Sequence, residues 1–62
     1  MNKTITVNGN RYVLRLRKEV NGYAYTAIRT SDGHVAAQGW TAGTMREGLQ
    51  EAQAHLLEKV TR

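Results

Sequence analysis

Hydrophobic and polar positions alternate along the first two thirds of the chain and then change period. "TITV", "RYVLRLRK", "YAYTAIR" and "HVAAQGW" each carry apolar residues at a spacing of two, the pattern of strands with one covered face. Between them lie "NGN", "VNG" and "SDG". Asn-Gly and Asp-Gly between alternating runs mark hairpins, because glycine accepts positive φ without steric cost. Three hairpins in succession predict a four-stranded antiparallel meander, with strands near 3–7, 11–18, 23–30 and 34–40. From Met45 the period lengthens. Met45, Leu49, Ala52, Leu56 and Val60 fall on one stripe of a helix over about 45–60, while Arg46, Glu47, Gln50, Glu51 and Glu58 fall away from it. Thr44 and Glu47 fit a capping box at its start. Leu57 lies at the edge of the stripe, as a partly buried flank or as a dimer contact. The predicted fold class is α+β: a β-meander (ββββα) with one C-terminal helix packed on one face, in a single domain spanning 1–62.

The alternation also assigns faces. In the second strand Arg11, Arg15 and Arg17 alternate with Tyr12, Leu14 and Leu16, and unpaired arginines stay out of a core, so the even positions face the helix. A two-residue Asn8-Gly9 turn sets Ile5 opposite Tyr12 and Thr6 opposite Arg11, and opposite residues share a face. The next hairpin has two candidate registers. A two-residue turn at Asn21-Gly22 pairs Leu16 with Ala27 and Leu14 with Arg29, which places Arg29 on the covered face. A three-residue loop from Val20 to Gly22, with Gly22 left-handed, pairs Leu16 with Thr26 and Leu14 with Ile28. That buries Ile28 and turns Arg29 outward. A slip of one residue exchanges the faces of a whole strand, and the cost of burying Arg29 favours the longer loop. With a two-residue Asp32-Gly33 turn, Ala37 falls beside Ile28 and Gly39 beside Thr26. The uncovered face then reads in rows: Arg17, Tyr25 and Trp40; Arg15, Ala27 and Gln38; Val13, Arg29 and Ala36, with Tyr23 near the turn.

Composition gives that face a possible use. Sixty-two residues bury only a thin core, and without cysteine neither a disulfide nor a thiolate metal site staples it. Nine Lys and Arg against five Asp and Glu give a net charge of +4 and a pI near 10.0, a bias toward anionic partners. Arginines neutralise phosphate and bond base edges, and exposed aromatic rings stack on unpaired bases. Arg15, Arg17, Tyr25, Arg29 and Trp40 are therefore the candidate nucleic-acid-binding residues, for DNA or RNA. The plainer alternative is that Arg17 covers Tyr25 and Trp40 by cation–π and stem packing, with no ligand.

Other chemistries find little support. There is one aspartate, in a turn, and no nucleophile–base pair, so a non-enzymatic chain is expected. His34 and His55 are separated from each other and from carboxylate clusters, which implies solvent-exposed histidines and no metal or cofactor. "GWTAGT" lacks the lysine and spacing of a phosphate loop and reads as a flexible strand-to-helix connection. The helix polar face mixes charge signs, unlike a membrane-surface helix, and no apolar run reaches the length of a span. With no secretory h-region in "MNKTITVNGN", the expected location is cytoplasmic.

Two resemblances extend these expectations. From Gly22 to Val60 the chain resembles the small HicB antitoxin domain, whose pattern runs from a "GY"-type strand to a glycine and then T-x-x-E-x-L-x-x-A, here Thr44, Glu47, Leu49 and Ala52. That resemblance implies a protein partner, an RNA-acting toxin held by the domain, as the alternative to nucleic acid. The order "RLR", "AIR", a glycine–tryptophan strand end and a capped helix is similar to three-stranded DNA-binding domains of the ethylene-response type and of phage integrase amino-terminal arms. Those domains set a sheet face in the major groove, and the resemblance implies DNA-contacting roles for Arg15, Arg17 and Arg29. Homodimerisation through the outer face is a third use of the same residues.

Overall fold

The computed structural model describes residues 2–61. Four strands, β1 (Asn2–Val7), β2 (Asn10–Glu19), β3 (Gly22–Arg29) and β4 (Val35–Ala42), precede one helix, α1 (Met45–Val60). The strands form one open antiparallel sheet in the order β1-β2-β3-β4, so the fold is an α+β meander with a C-terminal helix. The first hairpin turns through Asn8 and Gly9, both at positive φ (52° and 81°), and sets Ile5 opposite Tyr12 and Thr6 opposite Arg11, as the pattern predicts. At the start of α1 the capping box is complete. Glu47 N–H donates to Thr44 Oγ1 (3.2 Å) and Thr44 N–H donates to Glu47 Oε1 (3.3 Å). The connection before it is short, because β4 runs on to Ala42 and only Gly43, at φ 124°, separates it from the cap.

The second hairpin departs from both registers weighed above. Its loop is Val20–Asn21, closed by Glu19 opposite Gly22, so Leu16 pairs with Tyr25 and Leu14 with Ala27. This reverses the predicted orientation of β3: Tyr25 and Ala27 turn toward α1 and are buried, while Ile28 turns to the outer face. Gly22 is not the left-handed turn residue. A β-carbon there would overlap the Thr41 carbonyl oxygen and lie 2.8 Å from Ala42 Cα, so its role is to let β4 pass close by. The third hairpin also differs, since Arg29 N–H donates to His34 O (2.8 Å) around a loop of Thr30–Gly33. Ala37 consequently pairs with Ala27 and Gly39 with Tyr25, with Ala36 bulged out of the ladder. Ala37 and Gly39 keep their predicted face; it is β3 that turns over.

The core consists of Tyr12, Leu14, Leu16, Tyr25, Ala27, Ala37, Ala52 and Leu56, with Leu14 and Leu56 completely enclosed. The helix meets the sheet along Gly48, Ala52 and Leu56 rather than along a line starting at Met45, which is exposed, as is Leu57. A β-carbon on Gly48 would stand 3.1 Å from Leu16 Cδ2 and 3.2 Å from Tyr23 Cβ, so this glycine permits the close approach. The helix covers β2, β3 and β4 and leaves β1 largely bare. Gly22→Ala is expected to cost stability toward the upper end of the ~1–3 kcal/mol typical of overpacking, because the neighbour that must move is backbone. Urea denaturation at unchanged m-value checks it.

Candidate nucleic-acid interface

The outer face of the sheet is the one α1 does not touch, and β2 supplies its charge. Arg11, Arg15 and Arg17 occupy alternate outward positions with Val13 between the first two, so Arg15 and Arg17 stand roughly 6–7 Å apart at two strand residues' spacing. Their neighbours are short: Asn2 and Thr26 flank Arg15, and Ala24 lies beside Arg17. Beyond Ala24 in the same row stands Trp40, 52% exposed. Asn2, Arg15, Arg17, Ala24 and Thr26 line a shallow depression of about 430 Å³. The next row, Thr4, Val13, Ile28 and Val35, gives the face a small apolar patch.

Three of the five predicted residues, Arg15, Arg17 and Trp40, therefore share the outer face, and two do not. Tyr25 is only 6% exposed on the helix side, where its hydroxyl and His55 Nδ1 share a 2.8 Å hydrogen bond and the rings meet edge-on with centroids 5.8 Å apart. Burial, with a smaller contribution from Glu51, raises its pKa. Arg29 also points to the helix side, opposite Tyr12, but at the end of the strand. From there its guanidinium reaches solvent and clamps Asp32 through Nε (3.0 Å) and Nη2 (2.6 Å). That clamp, with the His34 backbone N–H on Asp32 Oδ1, holds the Asp32 carboxyl well below the usual carboxylate range. The cost assigned to an inward Arg29 is thus avoided by its terminal position.

Arg11 was not among the predicted site residues, although its outward alternation with Tyr12 was the available signal. Arg17 is not free of partners: its Nη2 donates to Glu19 Oε1 at 3.0 Å, an exposed pair of the kind that contributes little and opens readily. Arg15 makes no ion pair among the described residues. His34 is exposed, as expected, whereas His55 is half-buried and bonded to Tyr25. Among the described residues no three His, Cys, Asp or Glu side chains group as a metal site, and no helix is long and apolar enough to cross a membrane. No protein-family model, curated protein or solved structure matches the chain.

Tyr25→Phe removes the bond to His55 and is expected to cost about 0.5–1.5 kcal/mol near neutral pH. The folded state raises the Tyr25 pKa, so this residue's contribution is intact below about pH 10.0 and declines above it, as the unfolded chain ionises first. The stability gap between wild type and Tyr25→Phe should therefore narrow above pH 10, measured by denaturant titration across that range.

Proposed function

We propose that this chain is a non-catalytic module that binds duplex DNA through the outer face of its sheet. The carrying observation is the line of Arg11, Arg15 and Arg17 along β2, on the face the helix leaves bare, standing above flanking Asn, Thr and Ala side chains. Long cationic side chains over a low surface reach phosphates and base edges together. Charge partition supports the reading. The outer face holds Arg11, Arg15 and Arg17 against Glu19 alone, whereas α1 holds two basic residues against three acidic ones, so positive charge exceeds negative on the bare face but not on the helix.

The withdrawal of Tyr25 from this face favours a duplex over a single strand. A single-strand platform needs successive aromatic rings, and among the described residues only Trp40 presents one on this face. The arginine line survives and suits a duplex, with Val13 and Ile28 placed for thymine methyl groups. DNA is favoured over duplex RNA because the RNA major groove is too narrow for side chains to read. The protein-partner alternative draws on a different feature, the bare edge of β4.

Titration of a labelled duplex should give a log–log salt slope of about −3 for three phosphate contacts. Arg15→Ala and Arg17→Ala should each weaken binding and reduce that slope by about 1, while Arg29→Ala, on the opposite face, leaves it unchanged. Trp40 emission should be red-shifted in the free protein and change on binding. A slope near zero, or equal losses from Arg15→Ala and Arg29→Ala, would refute the assignment.

A further inference from the structure

The two edges of the sheet are not alike. Glu19 and Gly22 close a two-residue hairpin and so exchange both backbone hydrogen bonds, which points the backbone groups of Ala24 at β2 and those of Tyr23 and Tyr25 at β4. Gly39 and Thr41 answer Tyr25 and Tyr23 across the next ladder. The N–H and C=O groups of Gln38, Trp40 and Ala42 are therefore aimed away from the sheet, and among the described residues nothing outside the strand ladder bonds them. β4 is eight residues long with neither a charge nor a proline, whereas β1, the opposite edge, carries Lys3. Long uncharged edges without such guards pair with other strands.

One side of α1 runs beside this edge. His55 and Lys59 form a shallow cleft with the first half of β4, and Glu51, one turn before His55, is close enough for its charge to act on Tyr25. We infer that β4 pairs antiparallel with β4 of a second copy, about a two-fold axis at Gly39, to give one eight-stranded sheet. In this register Gln38 of one copy lies opposite Trp40 of the other, so the outward groups of both are used twice over about the axis. The flanking charges select a second copy as the occupant. Glu51, His55 and Lys59 are evenly spaced along α1, so the row inverted about His55 meets itself with Glu51 facing Lys59 at both ends. Such self-complementarity is what an isologous interface requires, and a polyanion at this edge would instead meet the Glu51 carboxylate.

The pairing also places both copies of Arg15, Arg17 and Trp40 on one side of the extended sheet, related by the two-fold axis. Given the DNA-binding reading, the dimer would take a two-fold symmetric duplex site; the pairing itself does not depend on that reading.

Light scattering and sedimentation of the full chain, without nucleic acid, test it. The expected mass is that of two chains, with slow amide exchange at Gln38, Trp40 and Ala42. Gln38→Pro deletes one outward N–H while leaving the ladder to β3 intact, and should give a folded monomer in which the Trp40 and Ala42 amides exchange fast. Glu51→Lys should weaken dimerisation by about ten-fold or more, and adding Lys59→Glu should restore it. A wild type that stays monomeric at every concentration reached overturns the inference, as does a dimer insensitive to both Gln38→Pro and Glu51→Lys. Should Gln38→Pro fail to fold, the charge reversal and its rescue decide alone. Because no DNA is present, the outcome is separate from that of the duplex titration.

Discussion

The Tyr25 ring lies between β4 and α1, with its hydroxyl 2.8 Å from His55 Nδ1 and its ring against a residue that has no side chain, Gly39. A β-carbon at Gly39 would come 2.6 Å from the Tyr25 hydroxyl oxygen and 2.8 Å from Cζ, so the ring fills the space this glycine leaves. An aromatic ring packed over a strand glycine recovers contact that the glycine itself cannot make. The inward Tyr25 fixes the face of every residue in β3, because strand side chains alternate with a period of two. It also ties β3 to the helix through His55, in the second half of α1, while Gly48, two turns earlier, lets the first part of the helix settle against Leu16 and Tyr23. The composition of the outer face follows from the same wedge. With the tyrosine rings turned in, what remains outside is the arginine line of β2, the apolar patch of Val13, Ile28 and Val35, short residues of β1 and β3, and Trp40.

The parts legible in the sequence were those in which a pattern had only one consistent solution. Asn8-Gly9 fixed the first register, Arg11, Arg15 and Arg17 fixed the face of β2, and Thr44 with Glu47 fixed the start of the helix. The third strand offered no such contrast. In "GYAYTAIR" one face would hold Tyr23, Tyr25 and Ala27 and the other Ala24, Thr26 and Ile28, and both sets can be buried. Only Arg29 distinguishes the two, and it does so only if a charged residue costs as much at a strand end as in its middle. At the end, a long side chain escapes to solvent and finds Asp32 three residues on, so its inward position costs little. Asn21-Gly22 misled for a related reason. A glycine required for close approach of β4 has the same one-letter signature as a glycine required for positive φ. The observed register takes Tyr25 and Arg29 off the candidate face but leaves Arg15, Arg17 and Trp40, whose orientations rest on β2 and β4.

The edge and the face of this sheet are linked through β4. Trp40 presents its ring to the outer face and its backbone N–H to the free edge, so a partner strand on that edge would bear directly on the surface around Trp40. A chain of this size has eight buried core hydrophobics among its described residues and a helix that covers three of four strands, which leaves much of the sheet in water. For so thin a core, pairing with a second copy adds stability by mass action without enlarging the chain. It would also change what the arginine line can do. One line of three cations would make only a weak, salt-sensitive contact with a duplex, whereas two lines held rigidly in one sheet would engage together, the second at high effective concentration. Strand pairing at β4 and phosphate binding at β2 would then reinforce each other, with DNA favouring the dimer by the same factor that the dimer favours DNA.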